Sequence, residues 1–196
     1  DFAVLGGERT KLQMVHIKLS HSRAFLLRAY VLQTHEMLFD AHWHAFRVFG
    51  GVPGRGIYDN MRTAVDRVGR GKERQINMRF LAMTNHYVYE PEFCNPAAGW
   101  EKGQVENQVG TVRQRFFSPR VRVKSYDELN AWLLDRCIAW AKAQPHPDIR
   151  DRTIWQMFEA ERPSLVPYAG PFDGFRSTPV SPSKSPAPRT AGRLPR

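Results

Sequence analysis

The chain predicts a mixed α/β domain, a central sheet flanked by helices, and three observations carry that reading. Residues 11–32 hold two apolar runs separated by a short polar turn, residues 34–51 hold a capped helical period, and "GIYDN" at 56–60 is a short apolar run that stops on Asp-Asn. A chain of 196 residues that is 42% hydrophobic, with five Trp and twelve Phe, is long enough to bury a real core.

The elements follow in order. "KLQMVHIKLSHS" alternates through Leu12, Met14 or Val15, Ile17 and Leu19, and "RAFLLRAYVL" comes after a short polar turn, so the pair reads as an antiparallel hairpin. "THEMLFDAHWHAFRVFGG" opens with a cap at Thr34 and carries Glu36 in its first turn. It spaces Leu38, Ala41, Ala45, Val48 and Phe49 at helical intervals and ends at Gly50-Gly51. "GVPGRGIYDN" is then a loop and a short strand, expected to run parallel to one of the earlier strands. Residues 66–79, "DRVGRGKERQINMR", read as a basic loop running into a helix through "FLAMTNHY". Arg67, Arg70, Lys72, Arg74 and Arg79 make that loop a candidate phosphate contact, and a solvated surface loop is the plain alternative.

"VYEPEFC" reads as another short strand, and "EKGQVENQVGTVRQRFF" repeats Val105, Val109, Val112 and Phe116 at helical spacing. "SYDELNAWLLDRCIAWAKA" is an amphipathic helix with Ser125 as cap and Glu128 three residues on, and "RTIWQMFEAER" is a short helix ending at Pro163. From about Gly174 the chain loses its apolar period, Pro and Ser recur, and every charge is positive, so a disordered tail is expected. The expected organisation is a core at 1–124, a helical extension at 125–173 and the tail at 174–196.

Composition excludes several classes. No apolar run approaches the roughly 18 residues of a membrane span, and no basic stretch followed by an apolar one opens the chain, so the expectation is a soluble, unexported protein. Cys94 and Cys137 could form one disulfide, but they show neither CxxC nor finger spacing and read as buried thiols. No GxxxxGK[ST] loop is present. His42 and His44 in "HWH" lie two apart on a helix and cannot face one metal together, so packing or surface roles are expected. Trp132, Trp140 and Trp155 fall at helix-core positions. A net charge of +10 points to a polyanion, nucleic acid above all.

Two carboxylates stand out. Asp59 ends its short strand, where Asp-Asn either makes a turn or presents a carboxylate at the strand tip. Glu106 shares a helix stripe with Lys102, Gly110 and Arg113 while the valines face the other way. An acid on a basic face suits metal-assisted work on phosphate, since two carboxylates can hold two Mg²⁺ ions about 3.5–4 Å apart; a Lys102–Glu106 surface ion pair is the alternative.

The stretches "LSHSRAF", "GIYDNMRTAV" and "NHYVYEPEFCNPAAGWEKGQVENQV" resemble the catalytic core of IstA-type insertion-sequence transposases, in the retroviral-integrase-like group with its ribonuclease-H-like fold, over residues 1–175. The resemblance implies that Asp59 of "YDN" and Glu106 of "KGxVE" are the second and third members of an Asp-Asp-Glu triad that binds two Mg²⁺ or Mn²⁺ ions. It implies double-stranded DNA as partner, both element ends and target, with Lys102, Arg113, Arg67, Arg70, Lys72 and Arg74 on phosphate. It also implies a separate ATPase helper protein, a homo-oligomeric working enzyme and a place at the bacterial nucleoid. The family's first Asp has no counterpart, since Asp1 stands too near Gly6-Gly7, and the tail replaces an expected β-rich domain as an altered reading frame would. The expectation is therefore a truncated, inactive piece of a transposase. The competing readings are a nucleic-acid-binding or oligomer-forming remnant without chemistry and a metal-dependent nuclease.

Overall fold

The computed structural model describes residues 2–59, 61–68, 74–94, 110 and 114–174. It opens on a tight hairpin of β1 (Phe2–Leu5) and β2 (Glu8–Lys11), turned by Gly6 and Gly7, both at positive φ. Glycine adopts that conformation without cost, which is why a two-residue Gly-Gly link can reverse the chain. The strand β9 (Arg122–Val123) lies parallel to β1 on its other side, giving the order β2-β1-β9.

The apolar runs form the expected hairpin, β3 (Gln13–Lys18) against β4 (Phe25–Tyr30). In β4, Phe25, Leu27 and Ala29 face one core cluster and Leu26 faces another, so both sides of the strand are covered. That double burial is the reason "FLLRAY" reads as an almost unbroken apolar run. Helix α3 (Tyr126–Ala143) packs on the first face through Leu129, Leu133 and Cys137. Asn130 fastens it there, its side chain accepting from Ala29 N at 2.7 Å and donating to Ala29 O at 3.1 Å. Helix α1 (His35–Phe49) and helix α4 (Ile154–Glu161) cover the second face through Ala45, Phe49, Ile154 and Phe158. The segment after residue 125 thus shares its core with the first thirty residues.

The caps are those the residues call for. Thr34 accepts from Met37 N, Ser125 accepts from Glu128 N, and Gly50 closes α1 at positive φ. The Glu128 side chain accepts from Lys124 N, one residue ahead of the cap. A reciprocal capping box forms instead at Thr153 and Gln156.

Two expectations need correction. Residues 66–79 do not run as a loop into a helix: β6 (Val65–Val68) and β7 (Arg74–Ile76) make an antiparallel hairpin with an irregularity after Val65, and helix α2 (Met78–Tyr87) starts only at the Asn77 cap. The Asn77 side chain accepts from Arg79 N and Phe80 N and donates to Asp66, tying the helix start to the hairpin. Strand β5 (Arg55–Tyr58) does run parallel to a neighbour, but among the described strands that neighbour is the later β8 (Glu90–Phe93), not an earlier strand. Leu38 and Phe46 of α1, Phe80, Met83 and Tyr87 of α2 and Tyr58 of β5 share one core cluster.

After α4 and a short 3₁₀ turn at Arg162–Ser164, the chain returns over α1 and α2. Val166 bridges Val52, Tyr168 packs edge-on to Trp43, and Phe172 N donates to Tyr87 Oη. No disulfide joins Cys94, half-buried, to Cys137, buried, and burial pushes the Cys137 thiol up to about 12. Among the described residues no helix is long and apolar enough to cross a membrane. The basic tail beyond Gly174 lies outside the described residues.

Candidate functional site

Asp59 stands immediately after β5, exposed, at the carboxyl end of a strand in a parallel pair. Its carbonyl accepts from Met61 N at 2.7 Å, and Met61 O accepts from Ala64 N and Val65 N, so the chain turns at once into β6. Asp59 is thus both at a strand tip and at the start of a turn. The register pairs Tyr58 with Phe93, and Cys94 N donates to Tyr58 O at 2.9 Å. The polypeptide leaving β8 therefore sets out beside Asp59, and twelve residues after Cys94 it reaches Glu106. In parallel α/β sheets ligands collect at this carboxyl edge.

The strand tip is held from beneath by a buried polar chain. His42, on the inner face of α1, has Nδ1 2.7 Å from Leu38 O and Nε2 2.8 Å from Tyr58 Oη, and Tyr58 Oη is hydrogen-bonded to Tyr89 Oη. A carbonyl oxygen only accepts, so Nδ1 carries the proton, Nε2 accepts from Tyr58, and Tyr58 in turn accepts from Tyr89. Burial pushes the His42 pKa down to about 4, keeping the ring neutral, and raises both tyrosine hydroxyls above their ordinary value. The residue next to Asp59 is thereby tied to α1 on one side and to the start of β8 on the other.

The glycine at the head of "GIYDN" belongs to the same assembly. A Cβ on Gly56 would lie 2.8 Å from Tyr89 Cε2 and 2.9 Å from Tyr58 Cε2. The two rings close over the backbone of β5, and only glycine leaves them room.

Of the predicted site residues, Asp59, Arg67 and Arg74 fall within the described part of the chain. Arg67 is exposed on β6, opposite Gln75, and Arg74 is on β7, opposite Val68. They flank the link that carries Arg70 and Lys72, which, with Lys102, Glu106 and Arg113, lie outside the described residues. Of the helix expected around Glu106, Gly110 and residues 114–116 are described and helical. Among the described residues no three His, Cys, Asp or Glu side chains form a metal-binding group. "HWH" is not a metal pair: His42 is committed to Tyr58, and His44 lies 3.4 Å from Asp40. Trp132, Trp140 and Trp155 are half-buried against the core clusters, with Arg115 over Trp140, Arg136 over Trp132 and Lys142 over Trp155.

No protein-family model matches the chain. It is 65% identical over 176 residues to a transposase of Aminobacter aminovorans, a match covering 89% of this chain and 34% of that one. It is 54% identical over 175 residues to the transposase for insertion sequences IS1326/IS1353 of Pseudomonas aeruginosa, again over 89% and 34% of the two chains. With the transposase for insertion sequence element IS21, also of Pseudomonas aeruginosa, it shares 31% over 135 residues, 67% of this chain and 34% of the relative. The chain thus spans about a third of the length of these curated relatives.

In three dimensions it matches a chain of the simian T-cell lymphotropic virus intasome, solved by cryo-EM in complex with PP2A regulatory subunit B56 gamma. The TM-score is 0.53 at 16% identity, over 88% of this chain and 59% of that one. At that identity the likeness speaks to the fold alone, a mixed α/β architecture shared with that chain. By sequence, the chain belongs to the IS21-type family of insertion-sequence transposases.

Proposed function

We propose that the chain supplies part of the catalytic core of a DNA transposase, acting on double-stranded DNA, element ends and target, at the bacterial nucleoid. The observation that carries the reading is the parallel pairing of β5 with β8, because the segment that bears Glu106 starts out from the same edge where Asp59 stands. An exposed carboxylate at a strand's carboxyl end fits the hard oxygen donor that Mg²⁺ or Mn²⁺ takes. Asp59 and Glu106 are the residues to hold the metal. Two divalent ions, when bound, polarise phosphate and activate the attacking oxygen in an in-line displacement.

The chain's own contribution is binding and placement. The tether through Tyr58 keeps Asp59 on a strand end, and Arg67 and Arg74, with Arg70, Lys72, Lys102 and Arg113, are the residues to hold phosphates. A homo-oligomer and a separate ATPase helper belong to the same proposal. A purely binding role is the competing reading, and the net charge of +10 favours it as much as it favours an enzyme.

Mn²⁺ titration separates them. Calorimetry on the wild-type chain, Asp59→Asn and Glu106→Gln, with duplex-DNA affinity measured alongside, is expected to show Mn²⁺ bound at least tenfold more weakly by either variant. Equal Mn²⁺ affinity in all three, with DNA binding intact, would leave the carboxylates without a metal role and select the binding module.

A further inference from the structure

The outer face of the β2-β1-β9 sheet carries cations that none of the motifs above include. Paired residues on neighbouring strands share a face, and the register sets Arg9, Val4 and Arg122 abreast, with Lys11 two residues along β2 on the same side. The opposite face is the core side, where Ala3, Leu5 and Val123 join the cluster under α3. Around β9 the alternation is complete: Arg120, Arg122 and Lys124 are exposed, while Val121 and Val123 between them are half-buried in that cluster. Among the described residues none of these three cations has a carboxylate within ion-pair distance. Glu8 pairs with Leu5 and so falls on the other register face.

We infer that this face is a second phosphate-binding track, which takes the backbone of duplex DNA at a place separate from the Asp59 edge; the inference rests on the transposase reading. Arg120, Arg122 and Lys124 stand two residues apart, about 6.8 Å where the chain is extended, and Arg9 and Lys11 lie about 10 Å from Arg122 across two strand intervals, so the cations form one patch of positive charge. A duplex carries one negative charge per about 1.7 Å of its axis, so a face of this size meets several phosphates at once. An exposed row of cations offers charge without base readout, which is the character of a positioning contact. Valines pointing inward pin the strand, and the arginines need no fold change to engage.

The test is fluorescence anisotropy on a labelled mixed-sequence 25-bp duplex between 50 and 200 mM KCl, comparing the wild-type chain with Arg120→Gln/Arg122→Gln/Lys124→Gln. Three lost contacts are expected to reduce the slope of log K against log salt by about 2.7, at about 0.9 each. The affinity lost over that salt range is then about 40-fold smaller than in the wild type, and each single substitution removes about a third of the effect on the logarithmic scale. The exposed positions leave the thermal midpoint unchanged, which is checked first by circular dichroism. A wild type that binds with a steep slope and a triple variant with the same slope overturns the inference and leaves the transposase reading standing. A wild type with no salt-dependent duplex binding overturns both. Loss of binding to phosphatidylserine vesicles in the triple variant, with the DNA slope unchanged, overturns it in favour of a membrane surface.

Discussion

Removing the Tyr58 hydroxyl tests the logic of the buried chain beneath Asp59. In Tyr58→Phe the ring still fills its place, but His42 Nε2 loses its donor and Tyr89 Oη loses its acceptor. Each orphaned buried group costs about 1–3 kcal/mol, so the substitution should cost about 3 kcal/mol. Tyr89→Phe removes only the far end of the chain: Tyr58 still donates to His42 and merely loses a bond it accepts, for about 1 kcal/mol. The double variant no longer strands the Tyr89 hydroxyl, so its cost should fall short of the sum by about 2 kcal/mol. Urea unfolding followed by tryptophan fluorescence measures all three. With a slope of about 2 kcal/mol/M, Tyr58→Phe moves the midpoint by about 1.5 M. A Tyr58→Phe midpoint indistinguishable from wild type, or strictly additive single and double variants, would refute the directional chain.

Four further outcomes are expected. His16 and His42 are both pushed down to about 4 by burial; the unfolded chain therefore binds more protons between pH 6.5 and 4. Stability is complete above about pH 6.5 and falls as pH drops through that window, by about 3 kcal/mol per histidine at the bottom, which urea midpoints at pH 7 and pH 4.5 compare. Gly56→Ala forces the Tyr58 and Tyr89 rings apart and should destabilise by about 1–3 kcal/mol in the same assay. Asn130→Ala leaves the Ala29 peptide without either partner and should cost about 2 kcal/mol. Leu133→Ala, in the core under the first hairpin, should cost about 2–5 kcal/mol.

The parts of the fold that could be read in advance are those whose stabilisation is local. Thr34, Gly50 and Ser125 cap their helices because each satisfies orphan groups within one turn, and the β3–β4 hairpin shows because its apolar residues need burial wherever it packs. The β6–β7 hairpin hid because "VDRV" and "RQI" carry little apolar alternation; a cross-strand register and the Asn77–Asp66 bond support it, and neither has a signature in a window of ten residues. The pairing of β5 with β8 hid for a related reason, since a parallel partner is chosen by crossover geometry over more than thirty residues.

The site divides along the same line. The place of Asp59 at a strand tip was legible through the residues around it, whereas the support beneath it was not: His42 reads as a packing histidine on an apolar helix face, and only the fold brings its Nε2 to Tyr58. "RVRVK" at 120–124 did carry a strand's alternation in plain view, yet just two of its residues pair as a strand, with a partner almost 120 positions away. A chain that must hold a carboxylate rigid at a strand end has reason to spend a buried histidine and two tyrosines on the preceding residue. A loop-borne ligand would be free to move by the ångström or so that separates a working phosphoryl-transfer site from an idle one. If that is the purpose of the network, Tyr58→Phe should weaken Mn²⁺ binding at Asp59 even under conditions where the variant is fully folded, and Gly56→Ala should do the same by tilting the same strand. Asn130→Ala, which loosens α3 from β4 and touches nothing on β5, should lower stability while leaving Mn²⁺ affinity where it was.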